Sequence, residues 1–325
     1  MLAAASGVAA LIYQVVWMRR LALVFGSTTL ATSTVLAAFL GGLAIGAVLW
    51  GRVADRRPSA GLAIFGLVEA AVGVYALLSP LAFRGVDAVY LALYPVLAGR
   101  QALFVTLQFA LCALVIVPPA ALMGGSLPLL ARRMIMLAEG VTRGVGALYG
   151  WNTIGAAVGA GMAAYGALPA LGLTGAVTLA AVINLLIAAC ALLIDARLRR
   201  PQPESAGAGS HAGERPLPGP VGGDTMPGAD AARLLVLQGF ALSGFAAIAY
   251  EVAWARLMAL VMGSSVYAFG ALVVVVLLGL GAGSWIYGRI RWSPQSHLAA
   301  FGAIEMLIGA TVAVSLVLSP QLPFT

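Results

Sequence analysis

Glu69 and Glu305 each sit near the middle of a long apolar run, in the same local pattern. "GLVEAAVG" (66–73) and "GAIEMLIG" (302–309) both read Gly-x-x-Glu-x-x-x-Gly. An acid at the centre of a membrane helix costs roughly 2.5–3.5 kcal/mol on insertion. Such a side chain turns to the interior of a helix bundle and takes a partner there. Two chemistries are open for it. The carboxylate can hold a cation or a proton, or it can serve as a structural hydrogen-bond acceptor while the flanking glycines let helices close up.

A second constellation is Tyr13, Trp17 and Arg19, which returns as Tyr250, Trp254 and Arg256. Tyr13 and Trp17 are four apart and share one helix face. The expected role is an interfacial anchor, with aromatic rings at headgroup level and arginine snorkelling beside them. The alternative pairs Arg19 and Arg256 with Glu69, Glu305 or Glu251 inside each half. Glu251 stands where the first copy has Gln14, so only the second copy carries this acid. Asn152 opens a further apolar run that holds Gly155, Gly159 and Gly161, a small-residue packing surface. Asn152 and Asn184 are expected to bridge helices, with a substrate contact as the alternative.

The elements that must position these residues are membrane helices. The chain has 325 residues, of which 62% are hydrophobic and only 9% charged, and its mean hydropathy is +1.02. A soluble domain carries about a quarter charged residues, so the lipid bilayer is the expected solvent and partner. The formal charge of +7 does not point to nucleic acid, because the arginines lie between apolar segments. Cys112 and Cys190 fall inside apolar runs and are expected to be buried thiols. No cofactor or metal motif is present.

Nine apolar runs have the length of membrane helices: 2–18, 29–50, 60–83, 102–122, 145–171, 173–194, 234–252, 267–287 and 298–317. Pro118 and Pro119 are expected to end or kink the fourth. The stretch from Arg84 to Arg100 is expected to be a short amphipathic helix along the outer interface. The expected fold class is all-α, a polytopic transmembrane bundle of about nine helices. Residues 1–195 form a first membrane half of about six helices. Residues 196–232, rich in Pro, Gly and Ser, form a flexible cytoplasmic linker, and 233–325 begin a second half of about three helices. Of the 18 basic residues, all arginine, 13 lie in the gaps after the second, fourth, sixth and eighth runs. The positive-inside rule then puts the N-terminus and the linker in the cytoplasm.

The two halves repeat. An offset of 237 carries Ser6, Gly7, Tyr13, Trp17, Arg19, Gly26, Gly42, Gly46 and Gly51 onto identical residues at 243, 244, 250, 254, 256, 263, 279, 283 and 288. Both halves start on the same side, so the repeat is expected to be parallel, about an axis along the membrane normal. The second half stops after three helices, so the sequence reads as a fragment.

"SGVAALIYQVVWMRRLALVFGSTTLATSTVLAAFLGGLAIGAVLWGRVADR", "MGGSLPLLAR", "LYGWNTIGAAVGA" and "LSGFAAIAYEVAWARLMALVMGSSVYAFG" together resemble the membrane portion of bacterial fused major-facilitator/spermidine-synthase-like proteins. The resemblance covers nearly everything outside the linker. It implies a multi-pass protein of the bacterial inner membrane that handles or transports a small cationic metabolite such as a polyamine. It equally implies a membrane scaffold for a soluble aminopropyltransferase domain, or other membrane subunits. Members typically carry that domain after the membrane part, with a glycine-rich nucleoside loop. This sequence has none, so no synthase activity is expected of it. "GRVADRR" resembles the major-facilitator loop between the second and third helices. Gly51, Asp55 and Arg56 fit it, and Pro58 replaces its second glycine.

Overall fold

The structure is a computed structural model that describes residues 1–26, 29–97, 99–137, 141–199, 229–263, 265–290 and 296–318. Of the expected linker, 200–228 lies outside the described residues, while 196–198 and 229–232 are helical. Among the described residues all regular structure is helical. Ten α-helices follow in order: α1 Leu2–Phe25, α2 Thr29–Arg56, α3 Gly61–Leu97, α4 Gln101–Met123, α5 Ser126–Leu137, α6 Val141–Met162, α7 Leu168–Leu198, α8 Ala229–Met262, α9 Val266–Arg289 and α10 Ser296–Leu318. Helices are the form in which an apolar run satisfies its own backbone polar groups away from water.

Among the described residues eight helical stretches are long and apolar enough to cross a membrane. The chain thus has the helix lengths and apolarity of a multi-pass membrane protein. The count differs from nine because the fifth and sixth expected runs are joined in one 53-residue stretch, Gly146–Leu198. Straight, it would measure about 80 Å, against roughly 30 Å of hydrocarbon. It is not straight. Ala163–Ala167 widen to a π-helical turn, and Gly172 leaves helical geometry at φ +67°, ψ −174°, which an L side chain resists and glycine accepts.

Close contacts establish that the chain reverses there. Gly155 and Gly159 of α6 lie on Ala4 and Val8 of α1, so these helices run parallel. Gly66 and Gly73 of α3 lie on Leu192 and Leu185 of α7, so these run antiparallel. Ser6 and Arg20 of α1 bond Glu69 and Asp87 of α3, which makes α1 and α3 parallel. Hence α6 and α7 point in opposite directions.

Two other expectations change, and the fourth run ends within a residue of its expected bound. Helix α4 runs through Pro118 and Pro119 to Met123 and stops at Gly124. Both prolines fall in its last two turns, and their loss of backbone donors does not end it. The stretch from Arg84 is no separate interfacial helix. It continues α3, which runs 37 residues through Pro80 and Pro95 and is held to the end of α1 by Arg20–Asp87 and by Phe25 packed on Tyr90 at 5.1 Å. Cys112 is buried, but Cys190 is exposed on α7, where a thiol behaves as a small apolar group.

The packed interior is built mainly by α1–α7, with Val273 of α9 reaching into it. Tyr13 and Trp17, expected as interfacial anchors, are among its largest fully buried side chains. They stack at 5.0 Å, and Trp17 meets Tyr75 edge-on at 6.3 Å. The Tyr75 hydroxyl donates to the Val115 carbonyl of α4 at 2.6 Å. Burial of their apolar ring area in the bundle has won over the interfacial preference of the residue types. Helices α8–α10 join through α9. Gly270 sits against Ala164, Tyr165 packs on Tyr267 at 5.7 Å, and the Tyr165 hydroxyl donates to the Tyr267 carbonyl at 3.0 Å.

Candidate functional site

Glu69 is buried on α3 at 2% exposure. Ser6 Oγ of α1 donates to its Oε1 at 2.6 Å, and Ser126 Oγ at the start of α5 donates to the same atom at 2.9 Å. Asn184 Nδ2 of α7 donates to Oε2 at 2.8 Å. One carboxylate therefore ties four helices. An acceptor-only group meets three donors, the complement a buried carboxylate needs. Glu305 takes a matching bond from Ser243 Oγ at 2.5 Å. Ser243 stands 237 residues after Ser6, and each serine donates to the apolar-run glutamate of its own segment.

The other candidate residues do not join this cluster. Asn152 is half-buried on α6, and its carbonyl oxygen faces Gly7 of α1. Among the described residues its side chain makes no hydrogen bond. Glu251 is half-buried on α8, and among the described residues it makes no ion pair. The alternative of Arg19 or Arg256 paired with Glu69, Glu305 or Glu251 is thus not realised: serines and an amide, shorter and uncharged, reach Glu69 first. Gly51, Asp55 and Arg56 are not in a loop. They form the last turns of α2, and a short 3₁₀ turn, Pro58–Ala60, follows. Asp55 lies 3.6 Å from Arg132 of α5, too far for a hydrogen bond, and the pair is a charge contact between an exposed acid and a half-buried arginine.

Arg19 and Arg256 meet elsewhere. A cavity of about 110 Å³ opens between α1, α2, α8 and α9. From the first segment, Val15, Met18, Arg19, Ala22 and Thr32 line it. The repeat offset carries these onto Val252, Ala255, Arg256, Ala259 and Phe269, and all five of those line it too. The N-terminus of α9 closes one wall. There Ser265 caps the helix by accepting from the Ala268 amide at 3.1 Å, and Ser265, Val266 and Ala268 all face the cavity. No acid is among the lining residues.

Sequence reading had singled out both arginines without bringing them together. It missed Ser126 as a partner of Glu69. The available signal was a hydroxyl directly after Gly124–Gly125, a turn tight enough to seat a helix start against a neighbour. A Cβ on Gly124 would lie 2.2 Å from the Leu43 carbonyl oxygen. Comparison with protein-family models, with curated proteins and with solved structures gives no match.

Proposed function

We propose that the chain is an integral membrane module that binds a small ligand between two pseudo-equivalent halves and exposes it alternately to the two sides. The observation that carries this reading is the lining of the central cavity. Five residues of the first segment and their five repeat partners surround one space. Two parallel repeats related by an axis along the membrane normal put a shared site on that axis, and rocking of one half against the other then switches access. The matched Ser6–Glu69 and Ser243–Glu305 bonds support the same repeat. The resemblance to the membrane portion of fused major-facilitator/spermidine-synthase-like proteins agrees with it, as does a bacterial inner-membrane setting with the N-terminus in the cytoplasm. The polyamine that resemblance suggests finds no carboxylate in the lining, and Glu69 is enclosed by three donors. The ligand's charge is therefore taken up separately below.

The test is two-sided labelling. In a Cys112→Ala, Cys190→Ala background, Ala255→Cys is reacted with a membrane-impermeant maleimide from either face of oriented vesicles. Labelling from both faces is expected. Labelling from one face only would leave a fixed pocket and favour a membrane scaffold that anchors an aminopropyltransferase-like partner.

A further inference from the structure

We infer that the cavity between the two halves is an oxyanion site, with Arg19 and Arg256 as its paired ligands. This rests on the reading of that cavity as the ligand site and adds the ligand's chemical class. The argument starts from cost. Each arginine carries a permanent charge, and placing it on a membrane helix is unfavourable unless a partner or water receives it. Arg20, the next residue along α1, has such a partner in Asp87 at 2.5 Å. Among the described residues Arg19 and Arg256 have no ion pair. They share one small cavity, where their like charges repel.

None of the acids on the surrounding helices lines the cavity. Asp87 holds Arg20, Glu69 is closed by its three donors, and Glu305 takes Ser243. Glu251 neighbours Val252 in sequence but does not line the cavity. The α9 N-terminus adds a third positive contribution, since the first amides of a helix carry partial positive charge. Two guanidinium forks and a helix start, with an otherwise apolar wall and no acid, match a carboxylate or phosphate group. They oppose a polyamine. A volume of about 110 Å³ admits a small anion or one headgroup. The anion would bridge the halves, one arginine from each.

The experiment uses the full chain, purified in detergent. Thermal unfolding is followed with inorganic phosphate, with succinate, and with spermidine, each against sodium chloride at equal ionic strength. Phosphate or succinate is expected to raise the midpoint and spermidine is not. Arg19→Gln and Arg256→Gln are each expected to weaken the apparent anion affinity at least tenfold. Arg84→Gln, on the exposed extension of α3, is expected to leave it unchanged. Should a glutamine variant fail to fold, Arg19→Lys and Arg256→Lys keep the charge and lose the fork, and a weakening of several-fold is expected.

A second arm separates the sources of the anion. Nanodiscs of phosphatidylcholine, with and without phosphatidylglycerol, are analysed by native mass spectrometry. Retained phosphatidylglycerol that is lost in the arginine variants and displaced by phosphate identifies a lipid headgroup. Free-anion binding without lipid retention identifies a soluble one. The inference is overturned if no anion-specific shift or retention occurs, if either survives loss of both arginines, or if spermidine alone stabilises. Anion binding with one-sided labelling of Ala255→Cys would keep this site and remove alternating access. Two-sided labelling without anion binding would do the reverse.

Discussion

Ser6 Oγ donates to Glu69 Oε1 at 2.6 Å, and both residues are buried. The bond joins α1 to α3, and the same carboxylate holds α5 and α7. Removing it strands three buried donors, each worth about 1 kcal/mol or more when left unpaired. Glu69→Ala is expected to cost roughly 3 kcal/mol. Glu69→Gln is expected to cost about a third of that. The new amide would face the Asn184 Nδ2 donor, but Asn184 Oδ1 is buried without a partner, so rotation of the Asn184 amide restores a complementary pair. Unfolding midpoints in detergent check the order. Equal loss for both substitutions would show that charge, not hydrogen bonding, holds the cluster.

Neighbouring glycines on α2 give a second prediction. A Cβ on Gly46 would lie 2.0 Å from the Ala121 carbonyl oxygen of α4, whereas one on Gly41 meets nothing within 4 Å. Gly46→Ala is expected to lose about 1–3 kcal/mol through forced separation of the helices. Gly41→Ala is expected to be neutral or slightly stabilising, because alanine favours helix over glycine. Thermal unfolding of the two variants, side by side, is the measurement. A neutral Gly46→Ala would mean that α2 and α4 are not in backbone contact.

The periodicity and hydropathy of the chain made the helices legible, and the matched acids, arginines and glycines are a pattern of the sequence. Partner identities were not. Ser126 reaches Glu69 from 57 residues away and Asn184 from 115, and no local pattern carries such a distance. Tyr13 and Trp17 misled because their residue types suit both an interface and a packed core, and only the neighbouring Tyr75 and α4 decide between them. Pro118 and Pro119 left an end or a kink open for a related reason. Proline weakens a helix locally, but contacts with neighbouring helices can hold the direction of the chain through it. The arginines were recognised one at a time, and their convergence depends on how α8 and α9 dock against α1.

Topology offers a third prediction. On the proposed orientation, with the N-terminus in the cytoplasm, reporter fusions after Arg57 and after Gly99 are expected on opposite faces, because α3 lies between them. A fusion at Ser205 is expected on the same face as Arg57, because α7 runs antiparallel to α3. Phosphatase activity, which reports export, is expected at Gly99 only. Activity at Arg57 and Ser205 with none at Gly99 would invert the orientation while keeping the helix order.

The adjacent arginines of α1 provide the last prediction, because the structure gives them opposite roles. Arg20 is tied to Asp87, both about 30% exposed. Arg20→Gln leaves a carboxylate without its countercharge, with Oδ1 already buried and unpartnered, and a loss of roughly 1–2 kcal/mol is expected. Arg19→Gln breaks no ion pair among the described residues and removes a charge that repels Arg256 across the cavity. Without added anion its unfolding midpoint is therefore expected to equal or exceed that of the unaltered chain. A double-mutant cycle of Arg20→Gln with Asp87→Asn should show coupling of about 1 kcal/mol. A cycle of Arg19→Gln with Asp87→Asn should show none. If Arg19→Gln proves as damaging as Arg20→Gln in anion-free buffer, Arg19 is a structural residue of α1 and not a ligand held ready in the cavity.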